Sequence, residues 1–529
     1  MKARPFLASL LAVLLLTLSL AAAGWWLIWQ RSPLQLQHRP LVLPRAARFI
    51  PRDAPLALHL LTDGREPVGY ARAVAPSRDR RQAADALERL RDGAFAAAGL
   101  DYRNELAGWL APEISLALFE RPGSDPREPA GNWLLALRSR DGDGARRFLQ
   151  RFWQTRSLAG TDLQVTNYRG MGLISGRGAL MGRQPVPLAT ALIDDDLLLI
   201  ASGRGVLEEA LDVSQIDELN QAADPGLRAG VERLASGVAL LVADAGQPLL
   251  QLPDGAGRGR LLASLRPEGT SLWLQALIAR PPDPELAATR FDHGLRRPLL
   301  AVAPQRTTSL TLLQDPDVLR RDPLLRSLVD QAVQAGPDTG PLPSLILREA
   351  RGPLAAIAMA HDWLLATPAA QPSVSQLEAP LASDGLIAAP LELKGRSATV
   401  WTRLEPASVR GGRDRRDSLQ APVEGWRGER DGLAVWGRSL ALLEGDGEAR
   451  GAWARERQLE ALDAPQAPFQ WALADAAARA LLAHWAPWRR LAGLAGGPLD
   501  GRVSGLELAV EPGADALLLR ARLELAGRG

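Results

Sequence analysis

The sequence predicts an α+β protein: an N-terminal transmembrane helix followed by antiparallel sheets with helices packed on one face. Three observations predict it. An uncharged stretch runs from Phe6 to Trp29. Short apolar runs of strand length recur from Leu56 onward. Helical stripes separate groups of these runs in the order strand, helix, several strands, helix. With short links, that order favours antiparallel sheet over a doubly wound parallel one.

The uncharged stretch covers 24 residues, 6–29. As a helix it would span about 36 Å, enough for a hydrocarbon core of about 30 Å. Phe6, Leu14 and Leu20 lie along it, and Trp25, Trp26 and Trp29 crowd its far end. Indoles there suit the headgroup level. Ala21-Ala22-Ala23 also resembles a signal-peptide cleavage site, but the apolar run continues past it. The reading is therefore an uncleaved anchor, with residues 1–5 cytoplasmic and the bulk of the chain outside. Arg31, Arg39, Arg45, Arg48 and Arg52 follow the stretch and outnumber the cations before it. Large domains cross largely regardless of such charge, and these arginines could touch anionic headgroups instead.

Residues 30–50, with Pro33, Pro40 and Pro44, read as an extended stalk. A first α+β domain is expected over 51–215. Leu56 to Leu61 reads as a strand, and 79–98 as a helix stopped by Gly99. Ile114 to Phe119 and Trp133 to Leu137 read as strands. Ala145, Phe148, Leu149, Phe152 and Trp153 then form one helical stripe. Strands are expected at 162–168, 171–175, 188–193 and 197–201, with a helix at 204–212. A second domain covers 236–366, with strands at 238–242, 271–278 and 309–313 and a helix at 316–334. Residues 367–384 read as a linker and 405–431 as a loop. The region 385–529 reads as mostly β, with a helix-prone stretch at 473–495 interrupted by Pro487. It ends in a hairpin: Leu506, Leu508 and Val510 alternate with Glu507 and Glu511, and Leu517, Leu519, Leu523 and Leu525 with Arg520, Arg522 and Glu524. Glutamate and arginine on its outer face could pair across the strands. A strand and helix at 133–155 find a loose echo at 307–334.

With 529 residues, 47% of them hydrophobic, the chain can build a sizeable core. Lysine and arginine total 62 against 60 acids, a net charge of +2, so no broad nucleic-acid footprint exists. Only Lys2 and Lys394 are lysines, a bias that fits a GC-rich genome. There is no cysteine, which excludes disulfides, thiolate metal sites and a cysteine nucleophile.

No chemical motif passes a check on spacing. Ser202-Gly203-Arg204-Gly205 opens a helix after a strand, but Glu208 stands where a nucleotide-binding turn needs glycine. Asp194-Asp195-Asp196 could attract calcium, yet three successive turn residues cannot all point one way. Asp141-Gly142-Asp143-Gly144 lacks the remaining acids of a calcium loop and suits a helix start. His38, His59, His293, His361 and His484 show no metal spacing. His484-Trp485 and Trp488-Arg489-Arg490 could dip into headgroups, or simply end a packed helix. Arg410-Gly411-Gly412 has the flavour of an RNA-binding segment, but neighbouring acids offset its charge. No catalytic, cofactor or metal residue is therefore named, and the only site residues are those of the anchor.

The segments 50–63, 99–118, 132–153 and 187–211, with 503–525, resemble cyanobacterial membrane-anchored proteins of the domain-of-unknown-function family 3352. The likeness is best over 50–215 and the last 25 residues. It implies an envelope or thylakoid anchor protein and supplies no activity. The expected function is thus a non-enzymatic single-pass membrane protein with a large scaffold or binding domain in the periplasm or lumen. Its partners would be the bilayer and envelope proteins, not nucleic acid. The rivals are a tethered carrier of lipid or apolar ligand, using a groove, and a hydrolase with a dispersed site.

Overall fold

Apolar runs bounded by turn residues become strands here, and the central ones, such as Leu197–Ala201 and Leu354–Ala358, bury every residue. The computed structural model describes residues 32–119, 132–158, 162–178, 186–252, 259–334, 340–368, 372–408, 417–444, 452–494 and 499–525. These residues hold twenty strands of antiparallel sheet and a separate two-stranded ribbon. They divide into two compact units. The first comprises the described residues up to Leu240 with Ser264–Thr270; the second comprises Leu241–Ala263 and the chain from Ser271.

In the first unit lie β1 (Leu56–Leu60), β2 (Leu110–Phe119), β3 (Asn132–Ser139), β4 (Gln164–Tyr168), β5 (Met171–Gly178), β6 (Val186–Ile193) and β7 (Leu197–Ala201). They pair in the order β1-β2-β3-β7-β6-β5-β4. The helix Gly142–Leu158 sets Ala145, Phe148, Phe152 and Trp153 into a core with Leu135, Leu137, Leu198 and Ile200. The alternate residues Leu134, Ala136, Leu197 and Leu199 are also buried. They face the other way, where the helix Arg204–Val213 covers β3, β6 and β7.

The boundary between the units falls within β8 (Ala239–Asp244) and β9 (Arg260–Glu268). The second unit holds β10 (Ser271–Ala279), β11 (Ser309–Leu313), β12 (Leu354–Ala358), β13 (Trp363–Pro368), β14 (Leu386–Leu393) and β15 (Arg396–Arg403). After the ribbon β16 (Glu405–Ser408) and β17 (Asp417–Gln420) come β18 (Val423–Arg430), β19 (Leu433–Gly437), β20 (Phe469–Ala474), β21 (Val503–Pro512) and β22 (Ala516–Leu525). Seven of these pair in the order β11-β12-β13-β19-β18-β15-β14. The row continues from β11 through β20, β21 and β22 to β10.

The two seven-strand orders are the same, and so is the placing of helices. In each unit a helix follows the third strand, Gly142–Leu158 in one and Val374–Ser383 in the other. Another follows the seventh, Arg204–Val213 and Leu440–Glu444. Trp133-Leu134-Leu135-Ala136 in β3 recurs as Trp363-Leu364-Leu365-Ala366 in β13. Asp63 and Asp315, each just after the first strand, accept backbone N–H bonds from the helical turn that follows. The chain carries one topological unit twice. The echo expected at 307–334 is displaced: the strand and helix at 133–155 correspond to β13 and Val374–Ser383.

The expected fold class needs correction on two counts. Among the described residues no helix is long and apolar enough to cross a membrane. The expected span 6–29, with Phe6, Leu14, Leu20, Trp25, Trp26 and Trp29, lies outside the described residues. Helices also do not keep to one face. In the second unit, Leu354, Ala356, Trp363, Leu365, Ala434 and Trp436 share a core with the helices Pro323–Val333, Leu342–Glu349 and Asp475–His484. The intervening Ala355, Ile357, Leu364, Ala366, Leu433 and Val435 join a second core with His293–Ala301 and Trp453–Ala461. Strands buried on both faces lose the alternation that marks a one-sided sheet.

Other segments depart from expectation locally. Residues 30–50 are not an extended stalk where described: the 3-10 helices Pro33–His38 and Arg45–Phe49 bury Leu36, Ala46, Ala47 and Phe49. Residues 367–384 contain the helix Val374–Ser383, started by a reciprocal Ser373–Gln376 capping box. The loop expected at 405–431 holds β16, β17 and β18. The stretch 316–334 is two helices, because Asp322 and Pro323 restart it. The break within 473–495 falls at Trp485, and Pro487 sits harmlessly in the first turn of Ala486–Leu494.

Candidate functional site

Ionisable groups pulled out of water are the natural place to look for chemistry, because burial is what tunes their protonation. In the second unit the hairpin β21–β22 sets Glu507 opposite Arg522 and Gly505 opposite Glu524. The helix Trp453–Ala461 lays Arg455 and Gln458 over this face. Gly505 makes room for Gln458: a Cβ there would stand 2.1 Å from its Nε2. Glu507 is fully buried, and Arg522 lies 3.8 Å from its Oε1. Arg522 makes its shorter contact, 2.6 Å, with Glu524. Gln458 Nε2 donates to the Leu473 carbonyl at 3.4 Å, while neither Glu507 oxygen has a hydrogen-bond partner among the described residues.

Burial, with Glu524 close by, pushes the Glu507 carboxyl up to about 8, against the pull of Arg522, Gln458 and Arg455. Burial likewise pushes Arg455 down, opposed by Glu507, Glu524 and Asp475. At neutral pH Glu507 is therefore mostly a neutral acid. It can donate a proton but exposes no surface to a substrate.

The first unit has its own sealed polar pair. His59 in β1 and Ser115 in β2 are register partners, and His59 Nδ1 lies 2.8 Å from Ser115 Oγ. Burial lowers the imidazole to about 4, with Gln221 opposing, so it stays neutral. Nearby in sequence, buried Glu113 accepts the Ala46 N–H at 2.9 Å.

The residues weighed from sequence are dispersed. Asp194 and Asp196 both bind Arg45, and Asp195 binds Arg146. Guanidinium groups thus occupy the turn that was weighed for calcium, and among the described residues no group of acids or histidines is arranged for a metal. Gly203 takes a φ of 134° ahead of its helix, and Glu208 pairs with Arg204 at 2.7 Å. Asp141 and Asp143 pair with Arg147 and Arg146 at the start of Gly142–Leu158. Of the arginines expected at headgroups, Arg31 lies outside the described residues and the rest are engaged elsewhere: Arg39 with Glu66, Arg45 with Asp194 and Asp196, Arg48 with the Ser214 carbonyl, Arg52 with Asp224. Trp488 is core, whereas His484, Trp485, Arg489 and Arg490 are exposed. Arg410-Gly411-Gly412 lies outside the described residues. Among described surface hollows, one of about 340 Å³ is lined by Arg396, Trp426, Glu429, Arg430 and Asp431.

Sequence reasoning missed Glu507 as a buried group, since alternation placed it on an outer face. The usable signal was Arg455 and Gln458, three residues apart, which set two polar side chains on one side of a helix.

Residues 10–254 match the family described as "Protein of unknown function (DUF3352)". The curated proteins contain no match. Among solved structures, TP0453 in crystal form IV aligns at a TM-score of 0.25 and 10% identity, over 45% of this chain and 80% of that one. Its crystal form I gives 0.25, 10%, 45% and 79%. At that level the likeness carries no argument.

Proposed function

We propose that the protein is a non-enzymatic scaffold or binding module that works by contact at a bacterial membrane, with its folded units outside the cytoplasm. One observation carries the first half of this reading. The two most strongly shifted acid–base groups, His59 and Glu507, have no exposed surface and cannot meet a substrate. They serve the interior of each unit, which leaves the outer surface for function. The uncharged stretch 6–29 supports the membrane location.

The test is crosslinking in intact cells. A photoreactive residue at Val165 in β4 or Ile387 in β14, both exposed on outer strands, should give discrete protein adducts. Adducts with lipid alone would turn the reading toward a carrier. A wash of the membranes with carbonate tests the location, and release of the full chain would overturn it.

A further inference from the structure

The chain reaches the first unit without slack. From Ser32 onward the expected stalk is folded: the 3-10 helix Pro33–His38 buries Leu36. Arg39 then forks onto both oxygens of Glu66, at 2.8 and 2.6 Å, and reaches the Leu61 carbonyl just past β1. The Gly237 N–H donates to the Arg39 carbonyl and the Leu41 N–H to the Ala235 carbonyl, each at 3.0 Å. This segment is part of the unit, not a leash.

Two contacts give its direction. Arg39 binds Glu66 at the start of the helix Glu66–Val74, while Pro33 lies against Gly69, where a Cβ would touch its ring at 3.8 Å. Read backwards from Arg39, the chain therefore moves toward the C-terminal end of that helix. Arg72 and Ala73 are exposed there. They stand three and four residues after Gly69, on the same side of the helix.

Only three residue steps separate Ser32 from Trp29, the last residue of the uncharged stretch. Fully extended, three steps span about 11 Å. A headgroup layer is about 5–8 Å deep on each side of the hydrocarbon. With residues 6–29 held in a bilayer, Ser32 has almost no room to stand clear of the lipid.

We propose that the first unit rests directly on the bilayer, with the Arg72 and Ala73 end of this helix against the headgroups. The covalent link selects the occupant: residues 6–29 carry this end of the unit to the lipid whatever the lipid's charge. This rests on the membrane location proposed above and adds an orientation to it.

The chain has no cysteine, so single cysteines carry a dye at chosen points. The full-length protein is placed in vesicles of neutral phosphatidylcholine, which removes adsorption by charge. A fraction of the lipids bears a headgroup nitroxide, which quenches only at close range. Leu34→Cys reports the link and Ala73→Cys the proposed face. Val165→Cys reports the far edge of the sheet, since β4 lies six strand spacings, about 29 Å, from β1. The dye should lose intensity at positions 34 and 73 and keep it at 165. Loss at 34 without loss at 73 overturns the orientation while the membrane location stands. Equal loss at all three positions also overturns it, because no end of the unit is then selected. Failure of the functional reading looks different: the dye at position 34 keeps its intensity, and residues 6–29 are not in the lipid.

Discussion

Glu507 and Arg522 face each other across the C-terminal hairpin, yet their charged atoms stand 3.8 Å apart and Arg522 turns to Glu524 instead. A fully buried carboxylate left without hydrogen bonds is held more easily as the neutral acid.

That arrangement makes stability fall with rising pH. The folded-state value of about 8 lies above the unfolded value of about 4.3, so the folded protein binds the extra proton between them. Stability should be full below the unfolded value and decline by up to about 1.4 kcal/mol per pH unit up to the folded one. Glu507→Gln should flatten this decline and raise Tm on the alkaline side. Thermal unfolding followed across that window checks it, and an unchanged slope would remove the claim.

His59 acts on the acid side with the opposite sign. Its value falls from 6.5 to about 4, so the unfolded chain takes up the proton first. Its stabilising share should be intact above pH 6.5 and vanish as pH drops toward 4. In proton NMR one of the five histidine ring signals should show no titration near neutrality and move only close to pH 4. His59→Gln should lessen the acid-side loss of Tm.

Gly505 is required by its neighbour. Gly505→Ala should destabilise by about 1–3 kcal/mol, because the new methyl meets Gln458. Gln458→Ala in the same chain should recover part of that loss. Denaturant titration of both single variants and the double variant measures the coupling; strict additivity would show the clash to be absent.

The repeated Trp-Leu-Leu-Ala strand gives a matched pair. Trp133 and Trp363 are both buried at the same strand position of their units. Trp133→Ala and Trp363→Ala should each cost about 3–5 kcal/mol. Calorimetry reads this directly, and a loss confined to one site would argue against equivalent roles.

Much of the strand pattern was legible because apolar runs end at turn residues, as at Asp194–Asp196. The helix at Gly142–Leu158 was legible from one aromatic stripe. What failed failed for physical reasons. Val374–Ser383 was hidden by Pro380 and a Pro/Ala/Ser composition, although its Ser373–Gln376 capping box was in plain sight. The arginines at 39, 45, 48 and 52 read as contacts to headgroups because their partners, Glu66, Asp194, Asp196, Ser214 and Asp224, lie far away in sequence. Glu507 read as exposed because nothing in a two-residue period announces the helix that covers it. The duplication was sensed as an echo at 307–334 but misplaced, because strand order, more than residue identity, is what the halves share.

A chain that writes the same topology twice must stop its like strands from trading places while it folds. β3 and β13 share four consecutive residues, so what must tell them apart is the cover each slot provides: Trp133 shares a core with the helix Gly142–Leu158, Trp363 with the helices Pro323–Val333 and Leu342–Glu349.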